Sequence, residues 1–254
     1  MTKGVVFPPN DHLPVVAWSG PMPKGAELAP HSAQAMVLFC FDGLMRVEVG
    51  EDRWFIPDRY GIWLPAGTWP TVEASDKIEF QAFQLHHKFS GRIAMPSQPT
   101  VLRATPLMRG IARRLMQAEP LPQAQQRRLG WVALDEIARL ERPDLHLPGS
   151  SEPRVAAVME HVMETPHEAN SLSKLAHVTG TSERTLSRLF LQETGLSWRD
   201  WRDRMRFVLA LEGLQLGQGS SALAATLGYA NTSAFVAAFR RQSGMTPTEW
   251  RHHR

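Results

Sequence analysis

Glu183, Arg184, Ser187 and Arg188 fall on one side of a helical repeat whose other side is Leu186, Leu189 and Phe190. Two guanidinium groups and a hydroxyl therefore share a solvent face. A guanidinium can bond guanine O6 and N7 bidentately, or hold a phosphate, so this set suits hydrogen bonding to nucleic acid. A second such stretch follows. Phe235 and Phe239 stand four apart and point inward, leaving Thr232, Ser233, Val236, Ala237 and Arg240 outward. Here hydroxyls can meet base edges and Val236 or Ala237 can pack on a thymine methyl. No set of Ser, His, Asp or Cys forms a nucleophile with its base, and no enzyme is expected.

Both stretches need short helices joined by a tight turn. Ser171 suits the N-cap of a supporting helix and Ser182 that of the helix carrying Arg184; Ser220 or Ser221, then Asn231 or Thr232, do the same in the second stretch. Gly180 and Gly228 suit the turns. The two stretches are copies. Leu175, Ala176 and Gly180 match Leu223, Ala224 and Gly228 at an offset of 48, and Leu186, Phe190, Gly195, Trp201 and Arg202 match Phe235, Phe239, Gly244, Trp250 and Arg251 at 49. The difference falls in the turn, where an added residue is tolerated. Residues 198–216, rich in helix formers, read as one connecting helix. Two tandem helix-turn-helix units place two helices for the major groove.

Residues 175–190, L-A-x3-G-x-S-x-R-x-L-x-R-x-F, and 228–251, G-Y-x-N-x-S-x-F-x3-F-R-R-x2-G-x-T-P-x2-W-R, resemble the AraC/XylS family of bacterial transcription regulators. The resemblance covers about the last hundred residues. It implies that Arg184, Ser187 and Arg188 approach bases, with a phosphate contact as the rival role for Arg188. In the second unit relatives often show a polar residue and an arginine where Val236 and Ala237 stand. Thr232, Ser233 and Val236 remain as base contacts, and this unit is expected to anchor more than it specifies. Lys174, Arg240, Arg241 and Thr248, the last in the capping box Thr246-Pro247-Thr248-Glu249, are the phosphate candidates.

Residues 1–100 read as short strands at 35–41, 44–49, 53–56, 61–64, 71–72 and 78–85, separated by Gly, Pro and Asp turns. The run from Gly43 to Gly67 resembles the cupin-type sensor domain that precedes the DNA-binding region in many family members, which implies a jelly-roll barrel with a pocket. Cupin enzymes bind metal through several histidines. Here Thr68-Trp69-Pro70-Thr71 stands where a histidine is usual, His31 is alone, and adjacent His86 and His87 would point to opposite faces of a strand. Neither metal nor other cofactor is expected. A small organic effector is, with His31, Trp63, Trp69 and His86 as pocket liners.

Residues 101–142 turn helical. Thr105-Pro106 starts one helix, and a second, from Gln123 to Arg142, carries Leu129, Val132, Ala133, Ile137 and Leu140 on a face that must bury against its own barrel or a second copy. The resemblance favours the second copy, hence a homodimer. Residues 143–153, with three prolines, read as an exposed linker, and 154–254 as the DNA-binding domain. The expected class is thus α+β and multidomain: a cupin-like barrel (1–100), a helical dimerisation segment (101–142), a linker, and an all-α double helix-turn-helix.

Charge agrees with that division. Residues 1–100 hold eight Lys/Arg against ten Asp/Glu, whereas from Asn170 onward eleven stand against six. With a pI near 9.3, a DNA partner fits better than an acidic small substrate. No run of eighteen apolar residues appears and Pro8-Pro9-Asn10-Asp11 does not read as a signal peptide, so a cytoplasmic protein away from membranes is expected. The lone Cys40 excludes an internal disulfide. The expected function is an activator of transcription that binds promoter or operator DNA, with RNA polymerase as a further partner. Two rivals stay open: a metal-dependent cupin enzyme with a helical association tail, and a regulator whose barrel only dimerises.

Overall fold

The computed structural model describes residues 13–22, 27–28, 34–41, 43–74, 78–117, 119, 121–168 and 171–252. The elements in chain order begin with strands β1 (Val15–Met22), β2 (Glu27–Leu28), β3 (Met36–Phe41), β4 (Leu44–Val49), β5 (Asp52–Pro57), β6 (Tyr60–Leu64), β7 (Thr71–Ala74) and β8 (Ile78–Leu85). Then come α1 (His87–Ser90), β9 (Thr100–Arg103), α2 (Pro106–Leu115), α3 (Gln123–Arg139) and β10 (His146–Leu147). The remainder is helical: α4 (Pro153–Glu164), α5 (Leu172–Val178), α6 (Glu183–Thr194), α7 (Trp198–Gln215), α8 (Ser220–Thr226), α9 (Thr232–Ser243) and α10 (Pro247–His252). Two compact units result, Met1–Gly50 with Trp54–His146, and Glu51–Arg53 with Leu147–Arg254.

The N-terminal unit holds two five-stranded sheets, ordered β1-β8-β3-β6-β9 and β10-β5-β4-β7-β2. Strand β3 explains the layering. All six of its residues are buried; Val37, Phe39 and Phe41 join Phe83, Leu102, Met108, Ile111, Ala133, Leu134 and Ile137 in one core, so that face meets α2 and α3. The alternate residues Met36, Leu38 and Cys40 are buried on the opposite face. Cys40 is a free, fully buried thiol.

Three expectations need correction here. Residues 101–103, placed with the helices, form with Thr100 the edge strand β9, paired antiparallel with β6. The apolar face of α3 does not await a second copy: Ala133, Leu134 and Ile137 bury against the chain's own sheet, while Val132 lies off that face and is 43% exposed. The segment read as an exposed linker buries Leu145, Leu147 and Ser150, and the Pro148 carbonyl accepts a hydrogen bond from the Trp201 indole at 2.8 Å. Proline excluded helix there, but leucines between the prolines still bury.

Candidate nucleic-acid interface

In the C-terminal unit the first helix-turn-helix is α5 and α6. Ser171 Oγ accepts from the Lys174 amide and Ser182 Oγ from the Thr185 amide, each at 3.2 Å, so both helices start where a hydroxyl can satisfy a free N–H. Leu175 and Ala176 of α5 and Leu186, Leu189 and Phe190 of α6 are buried; Phe190 packs edge-on against Trp198 and Trp201. The buried side fixes the outer one. Glu183, Arg184, Ser187 and Arg188 are exposed. Arg188 donates to Gln192 Oε1 one turn later at 3.2 Å, whereas Arg184 has no side-chain partner among the described residues.

The second unit, α8 and α9, repeats the turn and helix-end bonds of the first. After α5 the amide of Thr181 donates to Ala176, and after α8 that of Tyr229 donates to Ala224. At the end of α6, Thr194 Oγ1 donates to the Phe190 carbonyl and accepts from the Leu196 amide; at the end of α9, Ser243 Oγ donates to Phe239 and accepts from Met245. Gly180 and Gly228 both hold positive φ, 67° and 71°. The added residue is Ala230. One cap differs from expectation: α8 starts at Gly219 with no side-chain cap, Ser220 being already helical. Asn231 caps α9, its Oδ1 accepting from Ala234 at 2.8 Å.

The outer face of α9 presents Ser233 and Ala237 exposed, with Thr232 and Val236 half-buried. Arg240 is exposed, and Arg241 pairs with Asp203 of α7 at 3.4 Å. Thr248 is exposed in the first turn of α10, behind a closed capping box in which Glu249 Oε2 accepts from the Thr246 amide and Thr246 Oγ1 accepts from the Glu249 amide. Lys174 is exposed on α5, on the rim of a groove of about 470 Å³ that α4 and α5 form with Ala157, Val158, Leu175 and Val178.

One contact had no sequence signal. Arg206 of α7 sits inside the apolar side of its helix, 9% exposed, with its guanidinium 5.3 Å from the Tyr229 ring and Nη2 3.4 Å from the Pro166 carbonyl. Burial pushes its pKa below the usual arginine value, and nearby Arg202 pushes the same way. Burial pushes the Tyr229 phenol up.

The four residues expected to line an effector pocket are not brought together. His31 lies outside the described residues. Trp63 pairs across from Val37, so strand alternation turns it toward α2 and α3, where its indole donates to the Pro96 carbonyl at 2.9 Å. Trp69 follows the turn Pro65–Thr68 and is 68% exposed. His86 is buried and caps α1, its Nδ1 accepting from the Lys88 amide at 3.1 Å while its ring stacks on His87. Among the described residues no three His, Cys, Asp or Glu side chains cluster to hold a metal, and no helix is long and apolar enough to cross a membrane.

Known proteins share this pattern. Residues 175–253 match a family described as a helix-turn-helix domain. Over 222 residues, 84% of this chain and 78% of the relative, the sequence is 33% identical to the HTH-type transcriptional regulator NimR of Escherichia coli (strain K12). It is 32% identical over 110 residues, 42% of this chain and 36% of the relative, to a putative AraC-like transcription regulator of Streptomyces antibioticus. A solved structure of the DNA-binding domain of AdpA in complex with a target DNA aligns with 41% of this chain and 93% of that one, at 29% identity and a TM-score of 0.38.

Proposed function

This chain belongs to the AraC family of helix-turn-helix transcriptional regulators, and from that premise we propose that α6 and α9 enter two successive major-groove segments on one face of an operator. The chain is a DNA-binding regulator; which residues read and which anchor is the finer step. On this reading Arg184, Ser187 and Arg188 specify bases, Thr232, Ser233 and Val236 contact bases in the second segment, and Lys174, Arg240, Arg241 and Thr248 hold phosphates. The observation that carries it is the repetition of the turn and helix-end bonds of α5–α6 in α8–α9, with an exposed arginine pair on the first copy and methyl-bearing residues on the second.

The N-terminal sheets act as a cupin-like jelly roll that takes a small organic effector. In support, the face of β3, β6 and β8 turned away from the helices is apolar, with Met36, Leu38, Ile62 and Leu64, apart from the buried Gln84 amide. The regulator works as an activator, through RNA polymerase, and as a homodimer. For the dimer α3 leaves Arg128, Val132, Asp135 and Arg139 outward, a stripe whose opposite charges suit an antiparallel copy of itself.

Selection of bound sites from random duplex DNA at about physiological salt, read by sequencing, tests the operator reading. Two blocks one helical turn apart are expected, the sharper one lost with Arg188→Ala. No enrichment at any salt, by the whole chain or by residues 153–254 alone, would overturn it. Transcription in vitro from a promoter bearing the selected site decides the sign: a rise is expected, and a fall would make the chain a repressor.

A further inference from the structure

We propose that Arg206 is a positioning residue that fixes the setting of α9 relative to α6, and through it the spacing of the two DNA blocks that the chain accepts; this rests on the operator reading above. Helix α7 links the two helix-turn-helix units. Phe190 of α6 packs on Trp198 and Trp201 near one end of α7, and Phe239 of α9 packs on Phe207 farther along it. Each of these contacts joins α7 to one unit only, so a side chain that touches both units would constrain the angle between the recognition helices further.

Arg206 is such a side chain. Toward the first unit its Nη2 donates to the Pro166 carbonyl, in the loop between α4 and α5, at 3.4 Å. Toward the second its guanidinium lies 5.3 Å from the Tyr229 ring, and Tyr229 stands edge-on to Phe235 of α9 at 5.5 Å between ring centroids. The same loop meets the same turn beside it: a Cβ on Gly228 would stand 2.7 Å from the His167 carbonyl oxygen. The counterpart of Tyr229 in the first unit is Thr181, so the contact is an addition between the copies and not part of the duplicated packing.

The residue type argues for positioning over filling. Arg206 is nearly buried, its Nε has no acceptor, and it makes no ion pair among the described residues; Asp203, one turn earlier, pairs with Arg241. Such a cation costs stability that Leu or Met at the same place would not. A planar guanidinium gives what they cannot, a cation over a ring and an N–H on a carbonyl held by one rigid group. One base pair moves a block by about 3.4 Å and turns it by roughly a tenth of a helical turn, so an error in the setting is felt as a spacing error.

The test uses the whole chain as wild type, Arg206→Met, Arg206→Lys, Tyr229→Leu and Tyr229→Phe. Affinity is measured on the selected two-block duplex, on versions with one base pair added or removed between the blocks, and on a duplex carrying only the α6 block; thermal melting reports folding. Wild type is expected to prefer the selected spacing by about tenfold or more, the equivalent of a desolvated cation–π contact. Arg206→Met and Tyr229→Leu flatten that preference to within about twofold, a change smaller than a weak exposed contact, and leave single-block binding within the same margin. Tyr229→Phe keeps the ring and the preference; Arg206→Lys, which loses the planar fork, keeps only part of it. Wild-type spacing preference in a folded Arg206→Met, or in Tyr229→Leu should the methionine variant not fold, overturns the proposal. So does an equal loss on all duplexes, the mark of a merely structural residue. A wild type that selects no two-block site fails the operator reading, and that is visible before any variant is made.

Discussion

Arg188 and Arg241 are both exposed arginines, but they are held in different ways. Arg188 leans on Gln192 of its own helix, and that bond turns the guanidinium along the outer face of α6. Arg241 is tied to Asp203 of α7, with two-thirds of its side chain in solvent. Arg188→Ala is therefore expected to lose about 1–3 kcal/mol of discrimination at one or two base positions, measured as the affinity ratio between the selected site and its single-base variants. Arg241→Ala should weaken every sequence alike and lower the slope of log affinity against log salt by about 0.9. Equal, sequence-independent losses for both would show that α6 does not read bases. The outward sets on α6 and α9 were legible in the sequence because the 3.6-residue period divides a helix into faces without further information. Arg206 was hidden by the same rule, since a charged residue on an apolar face looks like an interruption until its partners, 23 and 40 positions away, are placed.

Elements with a strong local signal matched their expected spans closely, and the misses have local causes. Strand β8 coincides with the predicted run, and both helix-turn-helix units begin at predicted caps save at Gly219. Strand β1 was not among the expected strands, which began at residue 35; it carries Gly20-Pro21, and as the edge of its sheet it tolerates a proline with no amide to give. Period two marks two faces of a strand but not which one meets the helices, which is why Trp63 was assigned to a pocket. The two turns make a matched pair for stability. Gly180→Ala, with open space around it, is expected to cost about 1–2 kcal/mol for a non-glycine residue at positive φ. Gly228→Ala should cost clearly more, because its Cβ also meets the His167 backbone. Asn231→Ala is expected to cost about 1 kcal/mol for its cap. Urea unfolding of the three variants checks the order; Gly228→Ala no worse than Gly180→Ala would mean that the loop at His167 moves aside freely.

At the scale of the molecule the surplus of cations after Asn170 predicts affinity that falls steeply with salt, with a log–log slope near −0.9 for each phosphate neutralised. Lys174, Arg240 and Arg241 together should account for most of it, so the triple alanine variant should bind with a nearly flat salt response; an unchanged slope would place the phosphate contacts elsewhere. Duplication has kept the turns, the recognition-helix caps and the buried aromatics that build each helix pair and has let the outer faces part company. A site read by two unlike helices has no dyad: it has a head and a tail. Bound to it, a single chain points one way along the double helix, so reversing the site in front of a promoter should turn the protein's other end toward the start of transcription and silence a site that worked before.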